Sequence, residues 1–180
     1  MKFIKKIKNP ILREAVDWTF HIGIAVIIAV IIINYVFQRT LVNKISMTPT
    51  LQEGDNLFIE KVSMRLGMLK RGDIITFYSE KRKELLIKRI IGVADDTVKI
   101  QDGQVHVNGS IIKENYIKGN YTKSRGDYLD VKVPKGYVYV LGDNRIDDII
   151  DSREDGPISV KDIEGKAFVR LWPINKIRFF

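Results

Sequence analysis

The chain has 180 residues, with 30 Lys and Arg against 22 Asp and Glu, a net charge of +8, and 45% hydrophobic against 29% charged residues. That is the balance of a globular protein and not of a disordered tail. It holds no cysteine and two histidines, His21 and His106, which excludes disulfide scaffolds, thiolate zinc sites, thiol catalysis and a His-rich metal centre. Six bases and two acids fall in residues 1–39. The rest of the surplus is spread thinly, without the basic stripe and interleaved aromatics that nucleic acid binding calls for.

The first element is an apolar run. Residues 22–33 carry no polar side chain, and extension to 16–37 gives 22 residues, about the length that crosses a hydrocarbon core. Asp17, Thr19, His21 and Asn34 lie towards its ends, and Trp18 and Tyr35 sit where interfacial aromatics do. A buried core helix would leave the preceding bases unexplained. A cleaved signal peptide would have a shorter apolar region and a small-residue cleavage site, and Phe37-Gln38-Arg39-Thr40 offers none. The reading is one retained transmembrane helix at 16–38 behind a basic segment at 1–15. Lys2, Lys5, Lys6, Lys8 and Arg13 precede the span and only Arg39 and Lys44 follow closely. The positive-inside rule then puts the N-terminus in the cytoplasm and the rest outside a cell membrane crossed once.

Beyond the span, β-rich segments alternate with turn residues: NLFIEKV, DIITFY, ELLIKRIIGV, DTVKI, QVHVNG, YVYVLGD and AFVRLW, punctuated by Gly54-Asp55, Asp102-Gly103, Asn108-Gly109 and Lys135-Gly136. No helical pattern of 10–15 residues separates them, which argues against a parallel α/β fold. Residues 39–180 are therefore expected to form a mainly β, antiparallel-sheet domain, and the polar stretch 113–131 a long hairpin or mobile insertion.

Without cysteine and with few histidines, hydrolysis calls for a Ser or Thr nucleophile and another base. Lysine serves once burial lowers its pKa from about 10.4 towards 7. Lys88 stands in Leu85-Leu86-Ile87-Lys88-Arg89-Ile90-Ile91, where strand alternation puts it on a face with Leu86 and Ile90. A snorkelling edge-strand lysine is the alternative. Ser46, in Ser46-Met47-Thr48-Pro49-Thr50-Leu51, reads by itself as a turn or capping serine, as most serines do.

Taken together, these segments resemble type I signal peptidases of the bacterial serine–lysine class. Ser46-Met47-Thr48-Pro49-Thr50-Leu51 resembles the nucleophile motif, Lys70-Arg71-Gly72-Asp73-Ile74-Ile75 the central G-D-I/V strand, and Ile87-Lys88-Arg89-Ile90-Ile91-Gly92 the motif of the general-base lysine. Leu141-Gly142-Asp143-Asn144-Arg145 and Asp151-Ser152-Arg153 with Gly156 resemble the last box. The resemblance implies that Ser46 is the nucleophile, Lys88 its base, and the Ser46 N–H an oxyanion donor. Asp143, Asp151 and Arg153 become structural supports, and Val42, Met47, Leu51 and Ile87 line shallow pockets that favour Ala-x-Ala-like sites. Secretory preproteins and a lipid bilayer are the implied partners, with no metal or cofactor. The chain departs from the pattern at Lys44, two residues before Ser46, at Ala94-Asp95, and at Ile149, where the family carries a Ser. A specialised relative with a narrow substrate, and an impaired paralogue that binds signal peptides without cutting, are the competing readings. A further expectation is that the apolar-rich loop 64–69 meets the bilayer interface.

Overall fold

The computed structural model describes residues 9–146 and 149–180. The bases Lys2, Lys5, Lys6 and Lys8, and the acids Asp147 and Asp148, lie outside the described residues. The chain divides into two units, residues 1–38 and 39–180.

In the first unit, helix α1 (Pro10–Val36) begins before the apolar run because local capping allows it. Asn9 accepts from the backbone N–H of Ile11 at 3.0 Å and Leu12 at 3.4 Å, and Pro10 occupies the first turn, where no N–H is needed. Thr19 and His21 return their polar atoms to the carbonyls of Ala15 and Asp17 at 2.8 and 2.7 Å. The helix stops at Val36, and Phe37 and Gln38, read from sequence as part of the span, already belong to strand β1 (Phe37–Leu41). An 18-residue window within its segment Pro10–Ile32 has a mean hydropathy of 2.2 and no buried share, so the helix is long and apolar enough to cross a membrane.

The second unit is antiparallel β. Strands β2 (Asn56–Glu60), β3 (Ile74–Ser79), β4 (Glu84–Gly92), β5 (Thr97–Gln101) and β6 (Gln104–Val107) fall on segments read as strands. So do β9 (Tyr137–Leu141) and β11 (Ile163–Trp172). Short strands β7 (Ser110–Ile111), β8 (Asp130–Lys132), β10 (Ile158–Ser159) and β12 (Arg178–Phe179), and one-turn helices α2 (Val62–Arg65) and α3 (Ser152–Asp155), complete the unit. The larger sheet runs β1-β2-β11-β3-β4-β9-β10, with β12 also on β11; the smaller runs β7-β6-β5-β8.

Strand β4 organises the core. Its alternation sends Leu86 and Ile90 into a cluster with Ile75, Phe77, Val138, Val140 and Ile163. On the opposite face Ile91 joins Val98, Ile100, Val105 and Val107 of the smaller sheet. Ile87 packs partly against Val42, Met47, Leu51, Leu57 and Ile74. Gly92 is required where β4 meets the smaller sheet, since a Cβ there would lie 2.5 Å from Val98 Cγ2.

Candidate active site

Three chain segments converge at one point. Residues 45–47 form a single 3₁₀ turn that buries Ser46 and Met47, braced by Thr48 N–H and Thr48 Oγ1 bonding the Ile45 carbonyl at 3.1 and 2.9 Å. Lys88 lies on β4, whose register pairs it with Ile75 of β3. The turn after β9 supplies Gly142, Asp143 and Asn144.

Lys88 is 1% exposed. Its Nζ donates to Ser46 Oγ at 2.9 Å and to the Ile87 carbonyl at 3.2 Å. Burial pushes the ammonium down from its ordinary 10.5 to about 8; Asp151 and Glu84 oppose that fall, and Lys44 and Arg153 add to it. A lysine so placed is neutral for a useful fraction of molecules near neutral pH, and its nearest oxygen is a hydroxyl it can deprotonate. The snorkelling alternative does not hold, because the ammonium is enclosed and not at the surface.

The turn after β9 fixes Ser46 from behind. Asn144 N–H bonds the Ser46 carbonyl at 3.0 Å, and Asn144 Nδ2 bonds the Ile45 carbonyl at 3.3 Å. Glycine is needed at 142, where a Cβ would sit 2.6 Å from the Ser46 oxygen. Asp143 accepts a two-pronged bond from Arg89 at 2.8 and 2.6 Å and the Thr50 hydroxyl at 2.5 Å, which ties the turn to both the lysine strand and the serine segment. Asp151 pairs with Arg153 through two bonds of 2.8 Å, caps α3, and accepts the Gly142 N–H at 3.1 Å. None of Asp143, Asp151 and Arg153 bonds Lys88 directly.

Two cavities open beside Ser46. One, about 210 Å³, is lined by residues 40–44, Ser46 and Met47 from one segment and by Glu84, Leu85, Leu86 and Ile87 from β4. The other, about 320 Å³, adds Lys88, Glu53, Ile149 and Ile150. Val42, Met47 and Ile87 line a shallow, largely apolar cleft. Leu51 is a correction: it is wholly buried in the cluster beneath, with Leu57 and Ala167. Its motif position fits a pocket, but after the turn at residues 48–50 it packs in the core and lines neither cavity. Sequence reasoning passed over Glu84, Thr50, Arg89 and Asn144; the last three lie inside the quoted motifs, and their partners are set by tertiary contacts. Among the described residues, no group of three or more His, Asp or Glu side chains is placed to hold a metal ion.

The family model and the sequence relatives agree. Residues 15–172 match the family model described as signal peptidase, peptidase S26. The chain is 37% identical over 170 residues to signal peptidase I T of Bacillus subtilis (strain 168), covering 90% of this chain and 88% of that protein. It is 39% identical over 159 residues to a probable signal peptidase I-2 of Synechocystis, covering 85% and 71%. A crystal structure of a signal peptidase I from Enterococcus faecalis V583 is 31% identical, with a TM-score of 0.48, covering 54% of this chain and 95% of that one.

Proposed function

The chain belongs to the signal peptidase family, peptidase S26, and we propose that it removes signal peptides from exported preproteins as a membrane-anchored endopeptidase with Ser46 and Lys88 as its catalytic pair. The observation that carries the assignment of the pair is the 2.9 Å contact between Lys88 Nζ and Ser46 Oγ, both of them buried.

The chemistry follows from that contact. The neutral amine of Lys88 takes the Ser46 hydroxyl proton as Oγ attacks the scissile carbonyl, and the Ser46 N–H donates to the resulting oxyanion. Lys88 passes the proton to the departing amine, the C–N bond breaks, and the signal peptide remains as an acyl ester on Ser46. Water then attacks the ester with Lys88 again as base, returning the hydroxyl. The cleft lined by Val42, Met47 and Ile87 favours small side chains on the acyl side, because a volume of about 210 Å³ shared by several residues leaves little room at each. Asp143, Asp151 and Arg153 hold the turn that fixes Ser46.

Helix α1 anchors the chain in a membrane. The bases before it favour an N-terminus in the cytoplasm and the 39–180 domain outside. Bilayer contact by that domain is supported by Leu66, Met68, Trp172, Ile174, Ile177 and Phe179, all more than half exposed. Within the 64–69 loop, Leu66 and Met68 face out while Met64 and Leu69 pack on the core. The polar Lys44–Glu84 pair in both cavities favours a substrate range narrower than a wholly apolar cleft would accept.

The test is cleavage of a preprotein by the detergent-solubilised protein, with the new N-terminus sequenced. The native chain should cut after the small residue ending the signal peptide. Ser46→Ala, Lys88→Met and Lys88→Arg should each lose activity, since guanidinium yields no proton at working pH. Cleavage by any of the three at the native rate would remove the mechanism.

A further inference from the structure

Resting on the reading of Ser46 and Lys88 as the catalytic pair, we infer that Glu114 is a positioning residue for Ser46, acting through Arg145. Both belong to a buried clamp that the segment 113–131 closes over the turn after β9.

Arg145 has no exposed surface, and a guanidinium buried to that degree needs its donors met. It donates to Glu114 through both terminal nitrogens at 3.0 and 2.5 Å, to Thr122 Oγ1 at 2.8 Å, and through Nε to the Gly142 carbonyl at 2.6 Å. Glu114 is the only carboxylate it bonds among the described residues, and that side chain is itself 6% exposed. Thr122 is 1% exposed and is fixed by its N–H on the Gly103 carbonyl at 2.8 Å. The segment touches the turn again where Lys118 N–H bonds the Asp143 carbonyl at 2.9 Å. The stretch read from sequence as a long hairpin or mobile insertion is irregular in backbone up to β8, and it is anchored on the residues that hold Ser46.

The turn is therefore gripped from two sides. Arg89 and Thr50 hold Asp143; Glu114, through Arg145, holds Gly142. Tyr116 links the two grips, its hydroxyl donating to Glu114 at 2.8 Å and its ring lying 4.0 Å from the Arg89 guanidinium. The consequence for Ser46 is steric. Gly142 lies so close that no Cβ fits before the Ser46 carbonyl, and Asn144 N–H bonds that same oxygen. Displacement of the Gly142 carbonyl by the loss of Arg145 Nε is passed to Ser46, and a misplacement of about 1 Å costs roughly a hundredfold in rate.

The test is steady-state cleavage of a peptide spanning a signal-peptide junction, by full-length Glu114→Gln and Glu114→Asp in detergent, well below each variant's melting temperature. Glu114→Gln should lower kcat roughly ten- to a hundredfold with KM within about twofold. The midpoint of its pH–rate profile should stay at the native value, because Lys88 keeps its surroundings. Glu114→Asp, which keeps the charge, should recover part of the lost kcat. If Glu114→Gln does not fold, the double variant Glu114→Leu/Arg145→Met replaces the pair by apolar groups, an exchange that folds tolerate, and its kcat should fall in the same way. Native kcat in a folded variant would leave Glu114 as a purely structural residue and overturn the inference. That outcome is separate from failure of the catalytic reading, in which the native chain and Ser46→Ala would behave alike.

Discussion

Lys44 Nζ lies 2.5 Å from Glu84 Oε2, an ion pair joining the two segments that line the cleft beside Ser46. Both charges act on Lys88 through space, with opposite sign: Glu84 raises its pKa and Lys44 lowers it. Activity should rise with pH as Lys88 loses its proton, with a midpoint near its value of about 8. Removing the negative charge with Glu84→Gln favours the neutral amine, so the midpoint should move to lower pH. Lys44→Gln removes a positive charge and should move it to higher pH. Rates on one peptide across the alkaline range decide the matter, and shifts of the opposite sign would show that the pair does not act on the base electrostatically.

Gly142 should tolerate no side chain. In Gly142→Ala the new methyl would meet the Ser46 carbonyl at 2.6 Å and Ile149 Cγ2 at 2.9 Å, so the serine turn or the 142–145 turn must shift. Overpacking of this kind costs about 1–3 kcal/mol of stability. The loss in kcat should exceed tenfold, because the displaced group carries the nucleophile. Thermal melting and cleavage rates, measured together, check both halves.

The outward-facing residues near β11 should bind lipid. Trp172 is 54% exposed and is the one tryptophan left when residues 1–38, with Trp18, are removed, so quenching of the 39–180 domain by brominated lipid reports its contact with vesicles. Replacing Leu66 and Met68 with Ser should weaken vesicle binding by the 39–180 domain without changing its melting temperature, since neither packs in a core cluster. Leu69→Ser should instead destabilise the domain, because Leu69 packs on the Ile75–Phe77 cluster. Unchanged binding in the Leu66/Met68 variant would place the bilayer contact elsewhere.

Much of this protein was legible in the sequence because the relevant signals are local. A long apolar run is helical in any membrane context, and alternation in ELLIKRIIGV marks a strand whichever neighbours it finds. The motif order from Ser46 to Arg153 identified the family, as the match over residues 15–172 bears out. Leu86 and Ile90 on one strand face were compatible with a buried Lys88 and equally with a snorkelling one; the fold, in which Lys88 is enclosed, decides between them. What required the tertiary structure were pairings over long separations. Ser46 and Lys88 are 42 residues apart, Arg89 and Asp143 54, and Glu114 and Arg145 31. Periodicity tells which face of a strand is buried but not what is buried against it, so neither the Lys44–Glu84 pair nor the core position of Leu51 could be read. The two-residue strands β7, β10 and β12 are defined only by the partners that hydrogen-bond them. The stretch 113–131 reads as a long hairpin or mobile insertion because it is polar and contains glycine; that Glu114 and Thr122 within it meet the buried Arg145 is something only the fold brings about.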